Sequence, residues 1–237
     1  FNNPTPAIDD SFGYSVAIFG DKVLIGAFED DTGATNAGSA YLFDATTGTL
    51  LQTFNNPTPA DNDGFGYSVS ISGDRVLIGA YADDTGAENA GSAYLYDTSG
   101  NLLHTFNNPT PESGDTFGYS VSISGDKVLI GGRGDDTGAE NAGSAYLFDA
   151  TTGALLHTFN NPTPAYLDYF GWSVSISGYR VVIGAVEHTN SLGGSAYLYD
   201  ATTGTLLQSF LNLAGGGFSV SLSDNNFLVG SEGANFV

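Results

Sequence analysis

The sequence contains neither cysteine nor methionine among its 237 residues. The absence of cysteine excludes disulfides, thiolate metal sites and cysteine catalysis. The absence of both residues suits an oxidising setting, where either would be damaged. We therefore expect a secreted protein, either extracellular or at the cell surface. The sequence also does not begin with methionine, which indicates a processed product, a fragment or a partial chain, and removal of a signal peptide is one explanation.

Basic residues are scarce. Five Lys and Arg stand against 26 Asp and Glu, so the formal net charge is −21. Five bases cannot neutralise a phosphate backbone, which argues against nucleic acids and anionic membranes as partners. No apolar run approaches the roughly 20 residues that span a bilayer, so we expect no membrane insertion. The 41% hydrophobic content and 33 glycines exclude a disordered acidic tail and favour short strands joined by tight turns.

One segment recurs through the chain. The string FNNPTP begins at Phe1, Phe54, Phe106 and Phe159, and a degenerate FLNLAG begins at Phe210. Between these strings the order of motifs is constant, so the chain is a tandem repeat. A repeat of about 50 residues with strand-rich composition is typical of propeller blades.

Each unit contains four strand patterns, which the second unit illustrates. Strand A covers 65–71, where large residues alternate with Gly and Ser. Strands B, C and D cover 76–81, 92–96 and 102–106. A bulky face that meets a face of Gly and Ser allows neighbouring blades to pack closely. No segment has a capped 3.6-residue period, so we predict essentially no helix.

The repeat predicts an all-β fold, a five-bladed β-propeller of four-stranded antiparallel blades in a single domain over 1–237. Four complete blades are predicted at about 12–54, 65–106, 117–159 and 170–210. Residues 218–237 supply strands A, B and C of a fifth blade, with 233–237 as strand C. Its strand D would lie at or before Phe1, so we predict that the fifth blade is incomplete.

The motifs FGYSVSISGDRVLIGA at 65–80 and GSAYLYD at 91–97 resemble the FG-GAP repeat, the blade unit of integrin α-chain propellers, in its bacterial subtype with a short A–B turn. The resemblance covers the whole chain and is weakest after Phe210. It implies an extracellular or cell-surface propeller for binding or adhesion, often a module of a larger surface protein. Calcium-binding members carry an Asp-rich A–B loop. Here that turn is only Gly73-Asp74-Arg75 or its equivalent, so the family's calcium site does not carry over.

Acidic residues concentrate at one end of the predicted blades. In an antiparallel blade the D–A linkers and B–C loops lie at one end, which we call the top, and the A–B and C–D turns lie at the bottom. The top carries eighteen acidic residues and one basic residue, Arg133, whereas the bottom carries eight and four. Such a one-sided charge attracts cations. We expect a protein or glycan ligand at the top.

The B–C loops of the first three units predict calcium sites. Carboxylate and amide oxygens are ligands that calcium prefers, and glycines in each loop permit the sharp turns that a site needs. The candidate ligands are Asp30, Asp31 and Asn36, then Asp83, Asp84 and Asn89, then Asp135, Asp136 and Asn141. The alternative is that acidic loops maintain solubility and that Asp, Asn and Gly build turns. The fourth loop, Glu187-His188-Thr189-Asn190, lacks the Asp pair.

No pattern predicts catalysis or a bound organic cofactor. His104 and His157 alternate with Gln at equivalent strand-D positions, which is typical of a surface polar residue. Nearly every acid repeats by unit, whereas glycoside hydrolysis needs carboxylates in different environments. We therefore predict a non-enzymatic binding or scaffolding module.

Two alternatives remain for this module. One is a structural subunit of a larger assembly, completed by a donated strand. The other is a lectin-like propeller that uses aromatic side chains as a platform for sugars. Equivalent aromatic residues recur on strand A, and core packing is the competing interpretation for them: Tyr14, Tyr67, Tyr119 and Trp172. Better candidates for sugar contacts are aromatic residues outside strand A that do not repeat cleanly: Phe28, Tyr81, Tyr166 and Tyr169.

Overall fold

The computed structural model describes residues 1–186, 193–213, 219–224 and 226–230, and within these ranges it contains strands and turns but no helix. No helix in the described part of the chain is therefore long and apolar enough to cross a membrane. The strands are β1 (Ser15–Phe19), β2 (Lys22–Ala27), β3 (Ser39–Asp44), β4 (Leu50–Asn55), β5 (Phe65–Ser72), β6 (Arg75–Ala80), β7 (Ser92–Asp97), β8 (Leu102–Asn107), β9 (Phe117–Ser124), β10 (Lys127–Gly132), β11 (Ser144–Asp149), β12 (Leu155–Asn160), β13 (Ser173–Ser177), β14 (Arg180–Ala185), β15 (Gly194–Asp200), β16 (Leu206–Leu213), β17 (Ser219–Ser223) and β18 (Asn226–Gly230).

Consecutive strands pair to form separate sheets. Strands β1 to β4, β5 to β8, β9 to β12 and β13 to β16 each form a four-stranded sheet in chain order, and β17 pairs with β18. The pairing is antiparallel, with Val69 opposite Ile78 and Ile71 opposite Val76 in the second sheet. Four such sheets and a two-stranded fifth confirm the predicted all-β propeller with an incomplete fifth blade. The predicted strand C at 233–237 lies outside the described residues, and Phe1 belongs to no strand.

The chain divides into two compact units, residues 1–121 and 122–237. In the first unit, Leu24 and Leu42 of the first sheet are buried in one cluster with Val69, Ile71 and Val76 of the second sheet. Bulky side chains on one face of strand A therefore pack against the preceding sheet, as the alternation of large and small residues predicts.

The second unit repeats this packing between its own sheets. Leu129 and Leu147 of the third sheet are buried together with Val174, Ile176 and Val181 of the fourth sheet. The same residue types at the same positions therefore build the same apolar layer in each unit.

Glycine determines how closely two sheets approach. A Cβ added to Gly26 or Gly79 would lie 2.0 Å from the carbonyl oxygen of Gly66 or Gly118 on the following sheet. The Ser15 hydroxyl donates to the Gly66 carbonyl at 2.7 Å. Backbone of one sheet thus contacts backbone of the next, which holds the loops at the sheet ends in a defined position.

Candidate functional site

The linker between the first two sheets is folded by its own side chains. Asn56 Nδ2 donates to Asp63 Oδ2 at 2.7 Å, and the Ala60 amide donates to the same oxygen at 2.7 Å. The Thr58 amide donates to Asn56 Oδ1 at 3.0 Å. These bonds explain the Asn before the prolines of the repeated string and the Asp that follows the string. They also place Thr58 beside the neighbouring B–C loop.

The first aspartate of each candidate calcium loop is a buried hydrogen-bond acceptor. Asp83 Oδ2 accepts from the Tyr94 hydroxyl at 2.7 Å, and its Oδ1 accepts from the Thr85 amide at 2.8 Å. The hydroxyls of Thr58 and Tyr94 are 3.0 Å apart. Burial raises the pKa of Tyr94, and the adjacent Asp83 carboxylate raises it further. The cluster thus joins the linker, the loop and β7.

The other loops repeat this arrangement. Asp30 Oδ2 accepts from the Tyr41 hydroxyl at 2.8 Å and from the Thr5 hydroxyl at 3.0 Å. Burial raises the pKa of Asp30, but the hydrogen bonds from Thr32, Tyr41 and Thr5 outweigh it and leave that pKa below its ordinary value. Burial also raises the pKa of Tyr41 to about 12. In the second unit, Asp135 Oδ2 accepts from the Tyr146 hydroxyl at 2.6 Å.

The second aspartate and the asparagine of each loop hold its turn. Asp84 Oδ1 accepts from the Asn89 amide at 2.8 Å, and the pairs Asp31–Asn36 and Asp136–Asn141 do the same at 2.9 and 2.7 Å. The three asparagines have φ values of 51° to 52°, the left-handed region that Asn tolerates better than most residues.

Their carbonyls then accept from the linker that follows. The Gly64 amide donates to Asn36 at 3.2 Å, the Thr116 amide to Asn89 at 3.1 Å and the Tyr169 amide to Asn141 at 3.0 Å. All nine candidate ligands therefore take part in building the loops. Over the ranges that the structure describes, no three or more His, Cys, Asp or Glu side chains form a group that could hold a metal ion. The calcium sites stay a prediction, and His188 of the fourth loop lies outside those ranges.

Two acidic cavities lie where a linker meets a B–C loop in the first unit. One has a volume of about 200 Å³ and the other about 170 Å³. Burial, together with the charges of Asp83 and Asp84, raises the pKa of Asp63 in the second cavity. The first cavity is lined by Thr5, Ala7, Asp10, Asp30, Asp31 and Thr32, and the second by Thr58, Ala60, Asp63, Asp83, Asp84 and Thr85.

A third cavity in the first unit combines aromatic rings with amides, and we call it the aromatic–amide pocket. Its volume is about 80 Å³, and Phe28, Glu29, Asn36, Asn62, Gly64 and Tyr81 line it. Asn36 Nδ2 donates to Asn62 Oδ1 at 2.9 Å. That bond leaves the acceptor of Asn36 and the donor groups of Asn62 available to a ligand. The sequence predicts Phe28 and Tyr81 as candidate sugar contacts and Asn36 only as a metal ligand, and it does not predict that they share a pocket.

A half-exposed aromatic cluster adjoins this pocket. The rings of Phe28 and Tyr81 lie 5.2 and 4.5 Å from the ring of Tyr67. The Tyr14 hydroxyl donates to the Tyr67 hydroxyl at 2.9 Å, which in turn donates to the Tyr119 hydroxyl at 2.9 Å. Burial and both neighbouring phenols raise the pKa of Tyr67. These tyrosines pack on one another, and their rings also reach the surface.

The second unit has a different cluster at the equivalent positions. The guanidinium carbon of Arg133 lies 4.6 Å from the ring centroid of Trp172 and 5.4 Å from that of Tyr169. Such distances suit a cation–π contact. Arg133, the single basic residue of the predicted top loops, therefore packs against two aromatic rings. This cluster differs from the aromatic cluster at the equivalent positions of the first unit.

Tandem four-stranded antiparallel sheets with these linkers define a repeat protein of the β-propeller class. The FG-GAP repeat matches residues 6–43, 58–96, 111–148 and 164–199, together more than half of the chain. The chain therefore belongs to the FG-GAP repeat family, which confirms the resemblance seen in its motifs.

Solved structures of designed proteins are similar to this chain. The computationally designed Ika8 protein is 17% identical with a TM-score of 0.51, covering 92% of this chain and 67% of that chain. The computationally designed Ika4 protein is 16% identical with a TM-score of 0.49, covering 73% of this chain and 88% of that chain. At such identities the likeness to Ika8 concerns the fold alone. None of the curated proteins compared matches the chain.

Proposed function

We propose that this chain is a non-enzymatic binding module of an extracellular or cell-surface protein, and that its ligand is a neutral glycan held at the aromatic–amide pocket. The observation that carries the proposal is the composition of that pocket. The half-exposed rings of Phe28 and Tyr81 stand beside the amides of Asn36 and Asn62. A few polar groups among aromatic surfaces are typical of small-ligand sites.

The chemistry of a sugar matches these groups. The C–H face of a pyranose ring is apolar and packs on an aromatic face, whereas its hydroxyls need both donors and acceptors. Asn62 offers donors, and Asn36 and Glu29 offer acceptors. The net charge of −21 repels acidic sugars, so we expect a neutral one. The pocket holds part of one sugar ring, and the rest would extend over the aromatic cluster.

The repeat supports a role without catalysis. The buried carboxylates Asp30, Asp83 and Asp135 each accept a tyrosine hydroxyl in the same way. Each of the three carboxylates bonds to the tyrosine of its own repeat, and this repeated contact builds structure rather than a paired acid and base.

The test is binding of the chain to an array of neutral and acidic oligosaccharides, followed by calorimetry with the best-bound sugar. Tyr81→Ala removes one ring of the pocket, and we expect about tenfold weaker binding, equivalent to about 1.4 kcal/mol. Tyr179→Ala is the matched control, because Tyr179 is an exposed tyrosine in a turn outside the pocket. Failure to bind any neutral oligosaccharide, or equal binding by Tyr81→Ala, would contradict the proposal.

Calcium is a second candidate ligand, at the B–C loops. The observation that favours it is the acidic cavity that Asp63, Asp83 and Asp84 line together, where burial and the two neighbouring charges raise the pKa of Asp63. A divalent cation would relieve that repulsion.

A further inference from the structure

Three tyrosines of the first unit form a row of phenols. They stand at equivalent positions of three successive repeats: Tyr14, Tyr67 and Tyr119. The hydroxyl oxygens of Tyr14 and Tyr67 are 2.9 Å apart, and those of Tyr67 and Tyr119 are also 2.9 Å apart. The row therefore has one central member, Tyr67, which contacts a phenol on each side.

The rings of the row are close together as well. The ring centroid of Tyr67 lies 4.9 Å from that of Tyr14 and 4.9 Å from that of Tyr119, with interplanar angles of 42° and 43°. In a tyrosine ring, the two ortho carbons lie between the ring centre and the hydroxyl oxygen. Rings that approach each other at both of these points therefore also bring their ortho carbons close together. The same geometry occurs twice because the same packing of sheets occurs twice.

This proximity matters because the chain has few other side chains that oxidants attack. It contains no cysteine and no methionine, which form the usual ladder of protein oxidation. Its phenols and its one indole, Trp172, are then the side chains that lose an electron most readily. Two reactants that are held in contact react as one molecule rather than by collision. Radicals on neighbouring phenols of the row therefore couple with each other before they meet a second chain.

We propose that Tyr67 is a site of oxidative cross-linking, where it forms a dityrosine bond with Tyr14 or Tyr119. The oxidant is hydrogen peroxide activated by a peroxidase. Each of the two phenols loses one electron and one proton, and the peroxide is reduced to two water molecules. A carbon–carbon bond then forms between one ortho carbon of each ring, and the hydrogen on each of these carbons moves to the phenoxyl oxygen of its ring.

The product is a covalent connection between successive repeats. It closes a loop of the chain, as a disulfide does in proteins that contain cysteine. Cysteine is absent here, so the tyrosine row supplies a connection that disulfides cannot. The inference does not depend on the glycan pocket.

Trypsin separates the three tyrosines of the row, which makes the bond directly observable. Each lies in its own tryptic peptide, because a basic residue stands between one tyrosine of the row and the next. The peptides are 1–22, 23–75 and 76–127. The wild-type chain is treated with peroxidase and hydrogen peroxide, and the monomer is isolated by size-exclusion chromatography. The monomer should show dityrosine fluorescence and an intact mass that is two hydrogens lower. Its digest should contain peptide 23–75 joined to 1–22 or to 76–127, with fragmentation placing the bond at Tyr67.

Two variants separate this site from other tyrosines. Tyr67→Phe keeps the ring but removes the central phenol, so the dityrosine of the monomer should be lost. Tyr179→Phe is the matched control at an exposed tyrosine of the second unit, and it should cross-link as the wild type does. Circular dichroism should show unchanged strand content in both variants.

Three results would overturn the proposal. One is a wild-type monomer without dityrosine, including the case in which dityrosine forms only between chains. Another is equal cross-linking of the monomer in Tyr67→Phe and the wild type. The third is a bond from Tyr67 to Tyr81, whose ring centroid is 4.5 Å away, because ring packing rather than the row of hydroxyls would then determine the partner.

Discussion

At the scale of the residue, the buried pair Tyr94 and Asp83 connects the repeat motif to the loop. The tyrosine belongs to the SAYLYD motif on β7 and the aspartate to the acidic loop before it, and their hydrogen bond is 2.7 Å long. Both residues stand out in the sequence, but their contact does not. The contact depends on the path of the B–C loop relative to β7, and only the folded backbone determines that path.

Removing the tyrosine hydroxyl should therefore destabilise the fold. In Tyr94→Phe, Asp83 Oδ2 loses its buried donor while the ring remains. We expect the free energy of unfolding to fall by about 1–3 kcal/mol, the cost of a buried polar group without its partner. Urea denaturation measures it. Tyr179→Phe, at an exposed tyrosine, should leave the midpoint unchanged. Equal midpoints for both variants would mean that the bond contributes nothing.

At the scale of the element, strand A shows how far a pattern predicts structure. The alternation over 65–71 predicts one bulky and one small face, and β5 runs from Phe65 to Ser72 with Val69 and Ile71 buried. The pattern therefore predicts the strand to within one residue, as well as the packing of its faces. It does not reveal that Gly79 of β6 directly contacts the backbone of the following strand A.

That contact predicts a large effect of one methyl group. In Gly79→Ala the new Cβ would lie 2.0 Å from the Gly118 carbonyl oxygen, so the sheets must separate. We expect a loss of about 2–4 kcal/mol in thermal or urea unfolding, within the range of core overpacking and lost backbone contact.

The matched control is Gly73→Ala in the β5–β6 turn. Gly73 has a φ of +63° and open space around it, so its loss should be limited to the backbone term of about 1 kcal/mol. A smaller effect at Gly79 than at Gly73 would show that the sheets separate at little cost.

At the scale of the whole molecule, the sequence predicts the fold better than the binding sites. The repeat and its motifs predict four complete blades, because the four strands of each blade are consecutive in the sequence. The aromatic–amide pocket is not predictable in this way. Phe28, Asn62 and Tyr81 come from two sheets and the linker between them, and only the packing of those sheets brings them together.

Charge is the property that belongs to the whole chain. The formal charge of −21 destabilises a compact state through self-repulsion. The predicted calcium ligands are already engaged by tyrosine hydroxyls and loop amides. Bound calcium would therefore use the carboxylate oxygens that these bonds leave available, such as those of Asp84, which is exposed.

Calcium binding would appear as thermal stabilisation. A cation that binds only the folded chain at 100 times its dissociation constant adds about 2.7 kcal/mol per site, or about 5–10 °C at this chain length. We expect this rise in low-salt buffer with calcium relative to chelator, measured by calorimetry. Sodium chloride at matched ionic strength controls for screening, because screening alone acts on all carboxylates. The triple variant Asp31→Asn, Asp84→Asn and Asp136→Asn should lose the calcium-specific part of the rise. Identical midpoints of thermal unfolding with calcium and with chelator would contradict calcium binding. They would favour the alternative that the acidic loops maintain solubility and form turns.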